Sequence, residues 1–227
     1  TRDPGVACTR VSGCLRRSSL VRSSGNEVEV TPAQIESNAH ARTGTLPAPD
    51  RLIVAVMGLP GAGKSRVADA LEKQLGLRRV CRDTIRHAMF PDCNYSYIEK
   101  RAAFRAVLLA VEINCLLGEA SVIDGMTFSR AGDFESVMQL AKRMKFRAIA
   151  LWIDCPPAIA RDRIAADAAA ARHIARDRVP ALVDAVLARG DQPPDDAIRI
   201  DATQPIAAMC RASVDAVHRK MAAVHNN

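Results

Sequence analysis

The stretch Gly58-Leu59-Pro60-Gly61-Ala62-Gly63-Lys64-Ser65 constrains this 227-residue chain more than any other. It fits G-x-x-x-x-G-K-[ST], a loop that cradles phosphates. A polyphosphate needs several backbone N–H donors aimed at one point, and glycines let the backbone wrap that closely. Lys64 then opens a helix, whose N-terminus favours anions. Its ammonium suits terminal phosphates, the Ser65 hydroxyl suits Mg²⁺, and Arg66 continues the same turn. Gly58 through Arg66 is therefore the expected nucleotide-binding stretch.

Such a loop belongs between a strand and a helix. Upstream runs Leu52-Ile53-Val54-Ala55-Val56-Met57, an apolar segment suited to a buried parallel strand. Downstream, Val67, Ala68, Leu71 and Leu75 recur at helical spacing, and Gly76 stops the helix. Further strands are expected at 78–81, 121–124, 147–154 and 197–201. Helices are expected at 84–90, 96–117, 130–144, 179–189 and 205–223, with Pro156 opening one more at its first position. This alternation predicts an α/β domain with a parallel sheet over residues 50–227.

Residues 1–49 read differently. The first 25 are rich in Arg and Ser, hold one acid (Asp3) and lack apolar periodicity. They are expected to be disordered, with a short helix near Pro32–His40. The same composition occurs in organelle-targeting segments.

Composition narrows the function. Aromatics at 4% leave few platforms for stacking bases, which counts against a single-strand nucleic-acid binder. A net charge of +7 suits a domain that handles phosphates without demanding nucleic acid. The seven cysteines form no C-x-x-C pair and no metal spacing, which predicts a reduced, cytoplasmic protein. No apolar run approaches the ~18 residues of a membrane span.

Three further constellations carry chemistry. Asp124 ends an expected strand and precedes Gly125. An acid there partners Mg²⁺ together with Ser65, directly or through water. No Glu follows it to orient a water, which favours transfer to a hydroxyl over hydrolysis. Asp83 and Arg86 follow the second strand, and open α/β sheets bind ligands at the carboxyl ends of strands. Two readings fit them. Asp83 takes a proton from an acceptor hydroxyl while Arg86 clamps an anion, or Asp83 caps a helix beside a surface arginine. Last comes a cluster of Arg161, Arg163, Arg172, Arg176 and Arg178 with His173. It is either a lid that neutralises a migrating phosphoryl or a solvated helix face, and Arg163 is the first candidate for the lid role. The acceptor pocket is expected between the 84–117 region and Thr127–Arg130, with Thr127 and Arg130 as substrate contacts.

Residues 53–201 resemble the small P-loop kinase superfamily, specifically its AAA_33, zeta-toxin-like and gluconate- or chloramphenicol-kinase-like group. Gly58 to Ser65 looks like the P-loop of that group, and Arg82-Asp83-Thr84-Ile85-Arg86 like its Asp-x-x-Arg acceptor motif. Val122-Ile123-Asp124-Gly125-Met126-Thr127-Phe128 looks like its hydrophobic-Asp-x-Thr-Phe strand. Arg163 resembles its lid arginine, Asp177 the acid after the lid, and Pro193 to Asp201 its last strand. Arg176 stands where the group usually has Ser, and Ala165, Ala166 and Asp167 stand where a second lid Arg is usual. The resemblance implies ATP and Mg²⁺ as co-substrates. It also implies a three-layer fold with a five-stranded parallel sheet in the order 2-3-1-4-5 and a small helical lid.

The expected function is an ATP-dependent phosphotransferase acting on a hydroxyl of a small molecule. Lys64 and Arg163 would stabilise the phosphoryl, Ser65 and Asp124 hold the metal, and Asp83 handle the acceptor. The alternatives are a nucleotide-binding regulator or a nucleic-acid end-kinase, whose polynucleotide binding would depend steeply on salt. A GTPase-type switch needs an Asn/Thr-Lys-x-Asp guanine reader, and the chain has none.

Overall fold

A computed structural model of the chain describes residues 51–169, 179–189 and 192–222. Residues 1–50, with the expected helix near Pro32, lie outside the described residues. So do Arg172, His173, Arg176, Asp177 and Arg178.

The apolar run before the phosphate loop forms β1 (Leu52–Gly58), with every residue buried. Strands β2 (Arg78–Cys81), β3 (Ser121–Asp124), β4 (Arg147–Asp154) and β5 (Ile198–Asp201) join it. All pair in parallel, in the order β2-β3-β1-β4-β5. The described helices are α1 (Lys64–Leu75), α2 (Arg82–Met89), α3 (Tyr97–Leu116), α4 (Ala131–Met144), α5 (Pro157–Ala169), α6 (Ala181–Leu187) and α7 (Ile206–Ala222).

Why three layers form follows from the strand period of two. Val54 and Val56 point to one face and pack with Val67 and Leu71 of α1 and with Met209 and Val217 of α7. Ile53, Ala55 and Met57 point to the other and pack with Phe104 and Val107 of α3 and Val137 and Leu140 of α4. A central strand with helices on both faces has no polar side, so it reads as a continuous apolar run.

Three local expectations need correction. Pro157, not Pro156, is the first residue of its helix, and the Pro156 carbonyl accepts the first helical bond from Ala160 N–H at 3.0 Å. Pro156 therefore stands at the cap, and the fixed φ of Pro157 suits the first turn. Next, β2 runs straight into α2 at Arg82 rather than at Thr84. Its cap position is Cys81, so Asp83 lies inside the first turn and is not the helix cap. Finally, β5 starts at Ile198, because Ala197 N–H closes a turn onto the Pro194 carbonyl at 2.9 Å. Helix α3 begins with a full capping box between Ser96 and Glu99. Among the described residues no helix is long and apolar enough to cross a membrane.

The end of β1 positions the loop that follows. Gly58 still pairs with Ile153 of β4 but has φ of +130°. A Cβ at Gly58 would lie 2.5 Å from the Ile153 carbonyl oxygen. Gly58→Ala is expected to cost about 2–4 kcal/mol from backbone strain and overlap. Urea unfolding checks this, and a wild-type midpoint would show that the strand end relaxes freely.

Candidate active site

Helix α1 begins at Lys64 with Gly63 in the cap position and no side-chain cap. The first amides of a helix need outside acceptors, and an anion serves them well. Lys64 Nζ donates to the carbonyls of Gly58 (2.9 Å) and Leu59 (2.7 Å), which holds the ammonium inside the curve of its own loop.

The next turn connects the loop to β3. Ser65 Oγ donates to Asp124 Oδ1 at 3.2 Å. Asp124 is wholly buried, so its charge needs a partner. Arg79 of β2 supplies one, donating through Nη2 at 2.5 Å and Nε at 3.2 Å to Asp124 Oδ2. Burial pulls the Arg79 guanidinium's pKa down, but its hydrogen bond and charge contact with Asp124 outweigh that and raise it. The Ser65 hydroxyl and the Asp124 carboxylate are hard oxygen donors in contact, and they fit Mg²⁺.

Asp83 lies at the end of β2, two strands from β1. Gly125, which follows β3, has φ of +76°, and a Cβ there would lie 3.0 Å from Asp83 N and 3.3 Å from Asp83 Cγ. The missing side chain is what lets Asp83 close in on the end of β3. Arg86 Nη2 approaches Asp83 Oδ1 at 3.1 Å, and Arg82 Nη2 approaches the same oxygen at 3.6 Å. Neither contact has hydrogen-bond geometry, and Asp83 Oδ1 is buried without a hydrogen-bond partner among the described residues. Arg86 is itself only 3% exposed and stacks over the Tyr95 ring at 4.5 Å.

These groups line one cavity of about 670 Å³. Nine of its lining side chains are Lys or Arg and three are Asp, so it is built for anions. Of the residues singled out in the sequence, Lys64, Ser65, Arg66, Asp83, Arg86, Thr127 and Arg163 line it. Asp124 stands behind Ser65 and Arg79 rather than on the wall. Arg130 does not line the cavity. It is exposed, with its guanidinium 5.6 Å from the Tyr97 ring centroid. Thr127 contributes twice: its carbonyl accepts from Gly58 N–H at 3.2 Å, and its hydroxyl donates to Ser129 Oγ at 3.0 Å.

Arg163 crosses from α5 to two backbone carbonyls, Ala62 of the phosphate loop at 3.4 Å and Ala202 after β5 at 2.9 Å. Arg161 lies on another side of α5, bonded to Asp184 of α6 at 2.5 Å. Two arginines on the wall escape sequence reasoning. Arg79 occupies a strand position where an apolar residue is the norm, and its partner Asp124 is 45 residues away. Arg189, just after α6, donates to Ser129 Oγ at 2.8 Å, spanning 60 residues. No local pattern announces either pairing.

A family model described as an AAA domain, AAA_33, matches residues 53–194. The chain belongs to the AAA_33 family. No curated protein sequence matches it. Among solved structures, this AAA_33 chain resembles a gluconokinase from Sinorhizobium meliloti at 15% identity, with 79% of this chain and 98% of that one covered and a TM-score of 0.60. A sugar kinase from Janibacter shares 16% identity over 74% of this chain and 94% of its own, with a TM-score of 0.54. The APS kinase of Mycobacterium tuberculosis, solved with AMPPNP and APS, shares 18% identity over 76% and 99%, with a TM-score of 0.53. At these identities the likeness is one of fold, and the fold is that of P-loop kinases.

The Arg79–Asp124 pair yields a test. Arg79→Met leaves a buried carboxylate unanswered and is expected to cost about 2 kcal/mol or more. Adding Asp124→Asn removes the stranded charge, so the double variant should recover part of that loss. Urea unfolding of both variants checks it, and simple additivity would show that the two side chains do not interact.

Proposed function

We propose that this AAA_33 protein is an ATP-dependent kinase that phosphorylates a hydroxyl group of a small molecule. One observation carries the reading. The phosphate loop and Asp83, a carboxylate with a spare buried acceptor oxygen, open on the same cation-lined cavity. The fold it shares with a gluconokinase, a sugar kinase and an APS kinase supports this reading.

The roles follow from placement. The amides of Gly63, Lys64 and Ser65 and the Lys64 ammonium hold the phosphates of ATP. Ser65 and Asp124 would hold Mg²⁺, which when bound neutralises charge on the β- and γ-phosphates. Arg79 contends for Asp124 and keeps that carboxylate compensated. Asp83 Oδ1 accepts the proton of the acceptor hydroxyl. The hydroxyl oxygen then bonds to the γ-phosphorus, the bond from that phosphorus to the β–γ bridging oxygen breaks, and ADP leaves. Arg163 keeps its place in the site as the clamp on Ala62 of the loop. Arg189, just after α6, reaches the Thr127–Ser129 loop through Ser129 Oγ and lines the same cavity.

An ADP-release assay over sugars, nucleosides, antibiotics and RNA ends tests the proposal. Lys64→Ala is expected to lower turnover by about 100-fold or more without unfolding the protein, because catalysis of this kind is electrostatic positioning. Asp83→Asn is expected to keep Mg·ATP affinity and lose about 100-fold in transfer, since an amide cannot take the hydroxyl proton. Normal transfer by the Asp83→Asn protein would remove Asp83 from the mechanism.

A further inference from the structure

Helix α3 breaks the rule that a surface helix turns polar residues to solvent. Helix α1 obeys it: its exposed positions are Ser65, Arg66, Glu72, Lys73 and Gln74. Seven residues are exposed from Tyr97 to Leu117, and six of them are apolar, with Arg105 the exception. Ile98, Leu109 and Leu116 are 77%, 57% and 72% exposed. Single apolar residues on a surface are ordinary, but a continuous set along one helix marks an interaction face. The opposite side of α3, with Phe104, Val107 and Val111, is already buried in the core. A helix that is apolar on both sides belongs inside an assembly.

The spacing names the kind of partner. Positions 98, 102, 105, 109, 112 and 116 recur at alternating steps of four and three, the seam of a helix pair. The seam runs about 27 Å along α3. Turned antiparallel about a two-fold axis, it matches itself. Ile98 meets Leu116 at both ends, Ala102 leaves room opposite Glu112, and Arg105 crosses Leu109 one step from Glu112 of the other copy. Arg143 of α4 donates to Glu112 Oε1, so Oε2 can accept from that Arg105. Self-matching of apolar ends and of opposite charges is what a two-fold interface requires. The large side chains of the face, with Ala102, Ala106 and the stem of Arg105, offer roughly 600 Å² per copy, or about 1,200 Å² over two copies, where stable interfaces begin.

We infer that α3 is the docking face for a second copy of this chain, and that two copies pair α3 against α3, antiparallel, along the 98–116 seam. Helix α3 leads into the start of β3, so its last turn lies at the amino end of the sheet and its first turn at the carboxyl end. Antiparallel docking therefore sets the two cavities at opposite ends of the pair. The inference rests on α3 and the fold, not on the kinase reading.

Sedimentation equilibrium of the full chain at micromolar concentrations is expected to give twice the mass of one chain. Leu109→Glu puts a carboxylate from each copy into the middle of the seam and should weaken the dimer about 100-fold or more. Arg105→Glu sets an acid against Glu112 and should weaken it about tenfold or more, and adding Glu112→Arg should recover part of that loss. Leu109 and Arg105 are exposed, so these variants should keep the wild-type circular dichroism spectrum. A wild-type monomer at every concentration, which would leave this face to residues 1–50 or to a different protein, overturns the inference. So does a dimer that Leu109→Glu or Arg105→Glu leaves unchanged, or a charge reversal that Glu112→Arg does not relieve.

Discussion

A carboxylate with no exposure to water has to be compensated inside the protein, and Asp124 shows how this domain does it. Its two oxygens are taken by Ser65 from α1 and Arg79 from β2. One buried charge thus ties together the phosphate loop's helix and the two strands beside it. Removing Arg79 strands the charge, which costs far more than the pair contributes when intact. The same arrangement sets Ser65 Oγ and the Asp124 carboxylate in contact, two hard oxygen donors of the kind that suit a hard cation.

The sheet order turns that local solution into a two-ended cavity. With β1 at the centre, the phosphate loop opens over the middle of the sheet, and β2 carries Asp83 to one side of it. Parallel strands place both at their carboxyl ends, where open α/β sheets bind ligands. Gly125 makes the approach of Asp83 possible, since a side chain there would collide with the backbone of Asp83. On the other side Arg163 fastens the loop to the end of β5 through two carbonyls. The phosphate loop therefore stands at the centre, Asp83 on one flank, and Arg163 braces the loop from the other.

Much of this was legible in the chain. The apolar run, the glycine-rich loop and the helical spacing after it are local patterns, and each forms where it was expected. Asp124 and Asp83 were legible as strand-end acids. Asp83 was ambiguous in sequence, because an acid at that point serves equally as a helix cap or as a ligand group. The direct passage of β2 into α2 removes the cap reading, since the cap position falls on Cys81. Arg130 shows the opposite failure: closeness in sequence to Thr127 suggested a place in the pocket, but its side chain turns to Tyr97.

By itself the sequence determined the elements, their alternation, the phosphate loop and the fold family, because periodicity, glycine and proline act over a few residues. Only the tertiary structure decided which charges meet. Arg79 reaches Asp124, Arg189 reaches Ser129, and Arg82 and Arg86 converge on Asp83. The first two pairings span dozens of residues. The last depends on the gap left by Gly125. Ion pairing depends on distances of a few ångströms in space, and along the chain those distances are set by strand order and close packing, which no local pattern encodes.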